Sequence, residues 1–388
     1  MFKVEVIKTT EEFQNLREEW NNLLSESKAD TILLTWEWLF TWWEIFGVKK
    51  DLSILLIREG GKLIGIAPLM ISKEYVSGMT VYFLKFIGSE DVCSEYLDFI
   101  IIIGKEPEIL NLFFQYINQN TNRWDILLMN DITEDSLTVG FLSDKVKVIL
   151  NRHDIIKRKS TINPYMHLSN STDDFYQKLG SKRRSDIRVK IKRLSGEHKV
   201  SYSEILDKSY LTEYFGIFVN LHRTLWNERG LPGMFKKKIF LDFHKAVAFR
   251  FFEKDWLKLY FLNVDDIPVA SLYGFKYKDK FYYYQSGFDP KWKAYGAGKL
   301  LIVHTVTEAI KTNLREYDFL RGDADYKYQF TNKSRNNLEI LITKNDIKGK
   351  TYIFNRYFKK SFKNVLKNIL PQAIVSRVKK IRDNITLK

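Results

Sequence analysis

Cysteine is nearly missing: Cys93 is the single one in 388 residues. One thiol excludes an intrachain disulfide and a cysteine-based zinc cluster, and it suits a reducing cytoplasm. No stretch reaches the ~18 uninterrupted apolar residues of a membrane span. The opening MFKVEVIKTTEEF lacks the basic start and apolar block of a secretory signal. No Gly-x-Ser-x-Gly nucleophile motif occurs, and Cys93 has no recognisable partner pattern, so it reads as an inert, partly buried thiol. RRM, KH and zinc-finger patterns are absent too, which speaks against sequence-specific RNA reading. The expectation is a soluble cytoplasmic protein, at most peripheral on the inner face of a membrane.

What is abundant is apolar and basic. Hydrophobic residues make up 45% and aromatic residues 15%, enough for sizeable packed cores and against general disorder. The formal net charge of +15 favours acidic partners, and it is unevenly spread. Residues 356–388 hold ten Lys/Arg against one Asp, and residues 178–193 hold eight against one.

The chain repeats itself. LSILLIREGGKLIGIAPLMI (52–71) and LKLYFLNVDDIPVASLYGFK (257–276) each give strand, tight turn, strand; Gly and Asp tolerate the positive φ of short hairpins. EPEILNLFFQYINQNTNRWDILLMND (106–131) mirrors GKLLIVHTVTEAIKTNLREYDFLRGD (298–323): a helix, a polar loop and a short strand with an aromatic-Asp-apolar step. Two α/β halves follow, 1–155 and 156–345, with a basic amphipathic helical tail over 346–388. In the second half strands near 256–264, 267–277 and 280–287 form a meander. KWKAYGAGKLLIVHTVTEAI (291–310) then enters a helix that buries Ile302, Val303, Val306, Ala309 and Ile310.

First-turn amides of a helix lack intrahelical partners, and glycines let an anion approach them. Gly296 and Gly298 with Lys293, Lys299 and Lys291 therefore read either as a phosphate cradle or as a plain bend. The first half supplies a control. Its equivalent, IIIIGKEPEIL (100–110), has one glycine, a proline and two glutamates, which remove a donor and repel phosphate. Only the second copy keeps the glycines, which favours the cradle.

Lys293-x-x-Gly296-x-Gly298 resembles the pyrophosphate loop of GNAT-type N-acyltransferases. SGFDPKWKAYGAGKLLIVHTVTEAI with YDFLRGDADYKYQF (286–330) resembles the BioF2-like, CelD-type acetyltransferase domain. LGSKRRSDIRVKIKRL (179–194), LHRTLWNERG (221–230) and GSEDVCSEYLDF (88–99) fit the same domain type. The resemblance covers the chain to about residue 345. It implies tandem GNAT-like domains of α/β (α+β) class, each a mixed, mostly antiparallel sheet flanked by helices, related to the Fem-type peptidyltransferases. It also implies acyl-CoA (acetyl-CoA) as co-substrate, without a metal. Lys293 departs from the usual Arg or Gln; it neutralises phosphate but lacks the planar fork.

N-acyl transfer by direct attack needs a polarised carbonyl and a proton for the leaving thiolate. The resemblance places acid–base groups in DFLRGDADYKYQF: Asp318, Arg321, Asp323, Tyr326 and Lys327, with Asp325 beside them. Tyr326 would protonate the thiolate, and Lys327 would meet a phosphate. Tyr284, Ser286, Lys293, Gly296, Ala297, Gly298 and Lys299 would hold the donor. Tyr96 and Asp98, on one face by strand alternation, with Lys182, Arg183, Arg184, His222 and Trp226, would meet the acceptor. Glu95 reads as a solvated edge and the tryptophans of TWEWLFTWWEIFG (35–47) as core or a sugar-stacking wall. The acceptor class is a small-molecule or glycan amine, such as an amino sugar of surface-polysaccharide synthesis. The rivals are a Fem-like transferase using aminoacyl-tRNA, and a non-catalytic RNA- or membrane-binding protein. The basic tail is expected to touch anionic lipid.

Overall fold

The computed structural model describes residues 3–89, 92, 94–144, 149–150 and 153–356. Cys93 and most of the expected tail, residues 357–388, lie outside the described residues. The first half supplies β1 (Val4–Ile7), β2 (Lys50–Leu52), β3 (Ile54–Glu59), β4 (Lys62–Ala67), β5 (Leu69–Val76), β6 (Met79–Phe86), β7 (Ile100–Ile101) and β8 (Ile126–Thr133). Then come β9 (His153–His167), β10 (Val200–Glu204), β11 (Leu257–Val264), β12 (Ile267–Tyr277), β13 (Lys280–Phe288), β14 (Glu316–Asp318) and β15 (Lys333–Lys344). The expected hairpins form where turn chemistry asked for them: Gly60, Gly61, Asp265 and Asp266 all take positive φ.

Four strands order as β1-β3-β4-β7, and eleven as β10-β11-β12-β13-β14-β9-β15-β8-β6-β5-β2. Pairing is antiparallel except at two places. β6 runs parallel to β8 across the Glu106–Gln119 helix, and β13 runs parallel to β14 across the Ala297–Lys311 helix. The duplication is thus a repeated meander, helix and parallel return.

The halves exchange their closing strands. β9, which follows β8 in the chain, pairs with β14 of the second half; β15, which follows β14, returns to β8 of the first. β9 and β15 then pair with each other from Lys333↔Tyr165 to Lys344↔His153. One sheet therefore runs through both halves and across the boundary expected near residue 155.

Alternation along β13 divides two cores. Tyr282 and Tyr284 join a core shared by both halves, while Phe281 and Tyr283 join the one beneath the Ala297–Lys311 helix. The tryptophan-rich Trp36–Phe46 helix lies in the shared core. Trp38 meets Phe243 at 5.0 Å and Tyr284 at 5.6 Å, both edge-on. Trp38 and Trp42 are fully buried and Trp36 and Trp43 nearly so, which removes the sugar-stacking alternative. Among the described residues no helix is long and apolar enough to cross a membrane.

Candidate functional site

β13 and β14 touch only from Lys280–Tyr282 to Glu316–Asp318. Beyond that β13 runs on to Phe288, whereas the other chain turns away at Leu320, which takes φ 52°, and Gly322, which takes φ 117°. The short strand expected at the end of 298–323 is held to three residues, Glu316–Asp318, by this turn. A wedge opens between the two. On its β13 side the register shifts, pairing Gly274 with Tyr283 but Tyr273 with Gln285, so Tyr284 is bulged out of the ladder. A bulge leaves backbone polar groups unpaired and re-aims side chains. The equivalent β5–β6 pairing of the first half runs from Leu69↔Phe86 to Val76↔Met79 without a shift.

Three hydroxyls meet at the wedge. Tyr283 and Ser286 share a hydrogen bond, and the Tyr326 hydroxyl donates to Tyr283 at 3.4 Å. Tyr326 keeps 37% of its surface exposed while Tyr283 is buried. Burial raises both phenols above their ordinary range, so both stay protonated near neutrality. Tyr284 lies on the other face: its hydroxyl donates to the Val92 carbonyl and faces His244 Nε2 at 3.4 Å.

At the end of β13 the Ala297–Lys311 helix begins. Its N-cap, Gly296, is left-handed (φ 75°, ψ 30°), and no side chain caps the helix. The Ala297, Gly298 and Lys299 amides therefore have no intrahelical acceptor. A Cβ on Gly296 would fall 2.5 Å from Lys190 Cδ, so the glycine also permits close approach of the Ser181–Glu197 helix. Lys190 and Lys299 both donate to Asp186, the latter at 2.9 Å, and these bonds hold its carboxyl below the usual range. Lys291 and Lys293 are exposed.

The first half carries negative charge at its own helix start. The Gly104 amide donates to Glu106 Oε2 at 2.8 Å, and Lys28 stands 3.6 Å from Glu106 Oε1. Neither helix start has a side-chain cap, but the first places Pro107 and two carboxylates, Glu106 and Glu108, in its opening turn, and the second places none. The residues of the second half fit a diphosphate: bare amides, a glycine approach and ammonium groups. Asp186 binds two of those ammonium groups, Lys190 and Lys299.

The remaining acid–base candidates join the halves. Asp318 is fully buried; it accepts from Tyr96 Oη at 2.7 Å and from the Leu320 amide at 2.8 Å, with Arg335 at 4.0 Å. Arg321 donates to Glu95 at 2.6 Å and to Asp131 at 2.5 Å. Glu95 is fully buried, not a solvated edge, because Arg321, Asn163 and Asn337 supply it with donors. Burial pushes its carboxyl up against the pull of Arg321. Lys327 is 4% exposed, and its Nζ donates to the carbonyls of Phe319 (2.8 Å), Leu320 (3.0 Å) and Arg321 (2.7 Å). All three ammonium hydrogens are used on that turn, and burial pulls the group down to about 8.

Residues 94–99 form no strand, because Tyr96 takes φ 61°, so the expected alternation does not apply. Asp98 accepts from Ser136, from Thr138 at 2.5 Å and from the Phe99 amide at 2.8 Å; burial raises it to about 6. Tyr96 and Asp98 do line one cleft of about 500 Å³ between the halves, with Tyr165, Glu316 and Arg335. His222 is fully buried against Trp226 and Phe235, and burial lowers it to about 4. Trp226 is half-buried under Arg229. Lys182 and Arg183 are exposed on the Ser181–Glu197 helix, and Arg184 donates to the Tyr176 carbonyl at 3.3 Å. Asp323 and Asp325 are exposed. The structure thus brings Ser286 and Tyr326 together through Tyr283; it sends Asp318, Arg321, Tyr96 and Asp98 to the junction, and Tyr284 and His222 into the core.

Residues 181–328 match the family described as acetyltransferase (GNAT) domain. That stretch is a GNAT domain. Its fold neighbours extend over nearly the whole chain. FemX aligns with a TM-score of 0.59 at 10% identity, covering 87% of this chain and 96% of its own. A conserved protein of unknown function from Bacteroides thetaiotaomicron VPI-5482 gives 0.55 at 12%, covering 89% and 100%. The C-terminal domain of a putative lysylphosphatidylglycerol synthetase from Agrobacterium fabrum gives 0.52 at 9%, covering 90% and 96%. At these identities the likeness is one of fold. No curated protein matches the chain. The GNAT domain over residues 181–328 supports an acyltransferase in general, and the neighbours show that the fold extends over both halves.

Sequence reasoning missed Tyr283, Asp186, Lys190 and Asp131. Tyr283 was accessible from alternation: in KFYYYQSGF it is the tyrosine on the helix side. The other three acquire their roles through contacts far along the chain and left no local pattern.

Proposed function

We propose that this protein transfers an acyl group, acetyl in the simplest case, from acyl-CoA to an amine. The observation that carries the reading is the contrast between the two helix starts: the first carries Pro107 and two glutamates, Glu106 and Glu108, in its opening turn, whereas the second follows the left-handed Gly296 with no acidic residue in its opening turn. An acyl thioester would supply the electrophilic carbonyl. The bulge at Tyr284 offers backbone polar groups beside the place where that carbonyl would lie. The Tyr326 phenol, protonated and partly exposed, holds a proton for the departing thiolate. Attack is direct, from an amine entering between the halves, and the acceptor class we favour is an amino sugar or other glycan amine of surface-polysaccharide synthesis. The basic segment 356–388 is proposed to keep the protein near anionic lipid.

A second reading, a Fem-like transferase using aminoacyl-tRNA, is favoured by the exposed Lys182, Arg183, Arg188 and Lys192 on the helix that covers the glycine turn. Melting-point shifts with CoA, acetyl-CoA and charged tRNA separate the two, because a ligand that prefers the native state raises the melting point. The proposal expects a shift with CoA and release of free CoA, without tRNA, when amines are offered. A shift with charged tRNA alone would transfer the assignment to the second reading.

A further inference from the structure

We propose that the groove between the Ser181–Glu197 and Ala297–Lys311 helices receives the purine nucleoside end of the donor. This rests on the donor reading above and extends it to a part of the ligand remote from the chemistry. A cavity of about 200 Å³ lies there, walled by Ile191, Leu194, Val200, Leu300 and Val303. Tyr202 and His304, stacked at 4.1 Å and 16°, form part of its lining.

The groove continues from the open helix start. Lys299 carries the last bare amide, and Leu300 is the next residue. Val303 and Thr307 follow along the lining, about 6 and 12 Å further by helical rise. On the facing helix Lys190 lies over Gly296, and Ile191, Leu194 and Ser195 line the groove. The same two helices thus frame both places, at a separation that a nucleoside diphosphate spans.

The chemistry of the lining selects the ligand. Its polar groups are the hydroxyls of Tyr176, Ser195, Tyr202 and Thr307 and the imidazole of His304; no Lys, Arg, Asp or Glu is among its lining residues. Burial lowers His304 below its ordinary range, which keeps it neutral. Cations stand outside: Arg188 and Lys192 are exposed on either side of Ile191, and Lys190 and Lys299 lie at the open end. A neutral, flat-sided slot with hydrogen-bonding groups, leading to bare amides and ammoniums, matches a neutral base on an anionic neck. A fatty chain would want walls without hydroxyls, and a polyanion would want cations within the groove.

The test is calorimetric titration of the full chain with CoA, ADP and 4′-phosphopantetheine. Wild type is compared with Ser195→Trp and Ile191→Trp, both at exposed rim positions where the indole fills the slot without entering a core. The expected result is a loss of about tenfold or more for CoA and ADP in both variants, with phosphopantetheine changed less than about twofold. If wild type binds CoA and both variants bind CoA and ADP as well as it does, the groove assignment is overturned and the donor reading stands. If all three probes weaken alike, the indoles act on the helix start and the assignment is likewise overturned. If wild type binds neither CoA nor ADP, the donor reading fails and takes this inference with it.

Discussion

Lys327 spends its three hydrogens on three successive carbonyls and so fixes the left-handed turn from which Arg321 departs. Lys327→Met strands those carbonyls and should cost about 2–3 kcal/mol in denaturant melts. Tyr326→Phe should leave donor affinity unchanged and lower kcat by about a hundredfold, the usual contribution of a proton donor, read as CoA release. The buried imidazoles set an acid limit. Burial lowers His222 to about 4 and His244 to about 3 from 6.5. The unfolded chain takes up these protons first, so this stability is whole above pH 6.5 and is lost as pH falls towards 4. His244→Phe should flatten that loss, gaining about 2 kcal/mol on wild type at pH 5 relative to pH 7 in paired melts.

At the scale of elements, hairpins and helices were legible because their causes are local. The 59–61 and 265–266 turns carry residues suited to positive φ, and the period of 297–311 is helical. The candidate anion cradle stands out only through comparison of the two copies, since Pro107, Glu106 and Glu108 open the first helix where Gly296 and Gly298 flank the start of the second. Gly296→Ala should cost about 1–2 kcal/mol for its left-handed backbone and force Lys190 aside, weakening CoA binding in titration. Asp186→Asn should do the reverse, tightening CoA severalfold by removing a carboxylate and releasing two ammonium groups. Glu106→Gln should leave CoA affinity untouched.

Across the whole molecule, strand order was not legible. β14 and β9 are separated by some 150 residues and carry no mark of each other, because a ladder's partner is chosen by packing on both faces. The same blindness hid Glu95: its charged neighbourhood suggested solvent, yet Arg321, 226 residues on, encloses it. The exchange of closing strands predicts one cooperative thermal transition for both halves. Ending the chain at residue 332 removes the strand that joins β8 to β9. That truncation should abolish the transition in calorimetry, and a surviving independent melt of the first half would contradict it.

The placement of β15 also orders events during synthesis. Although the first 150 residues emerge early, their sheet stays unfinished, with an open β8 edge, until a segment more than 300 residues from the start has been made. The nascent chain must keep that apolar border from pairing with neighbours for most of its time on the ribosome. A shortage of chaperones should therefore harm this protein more than one whose copies each finish their own sheet.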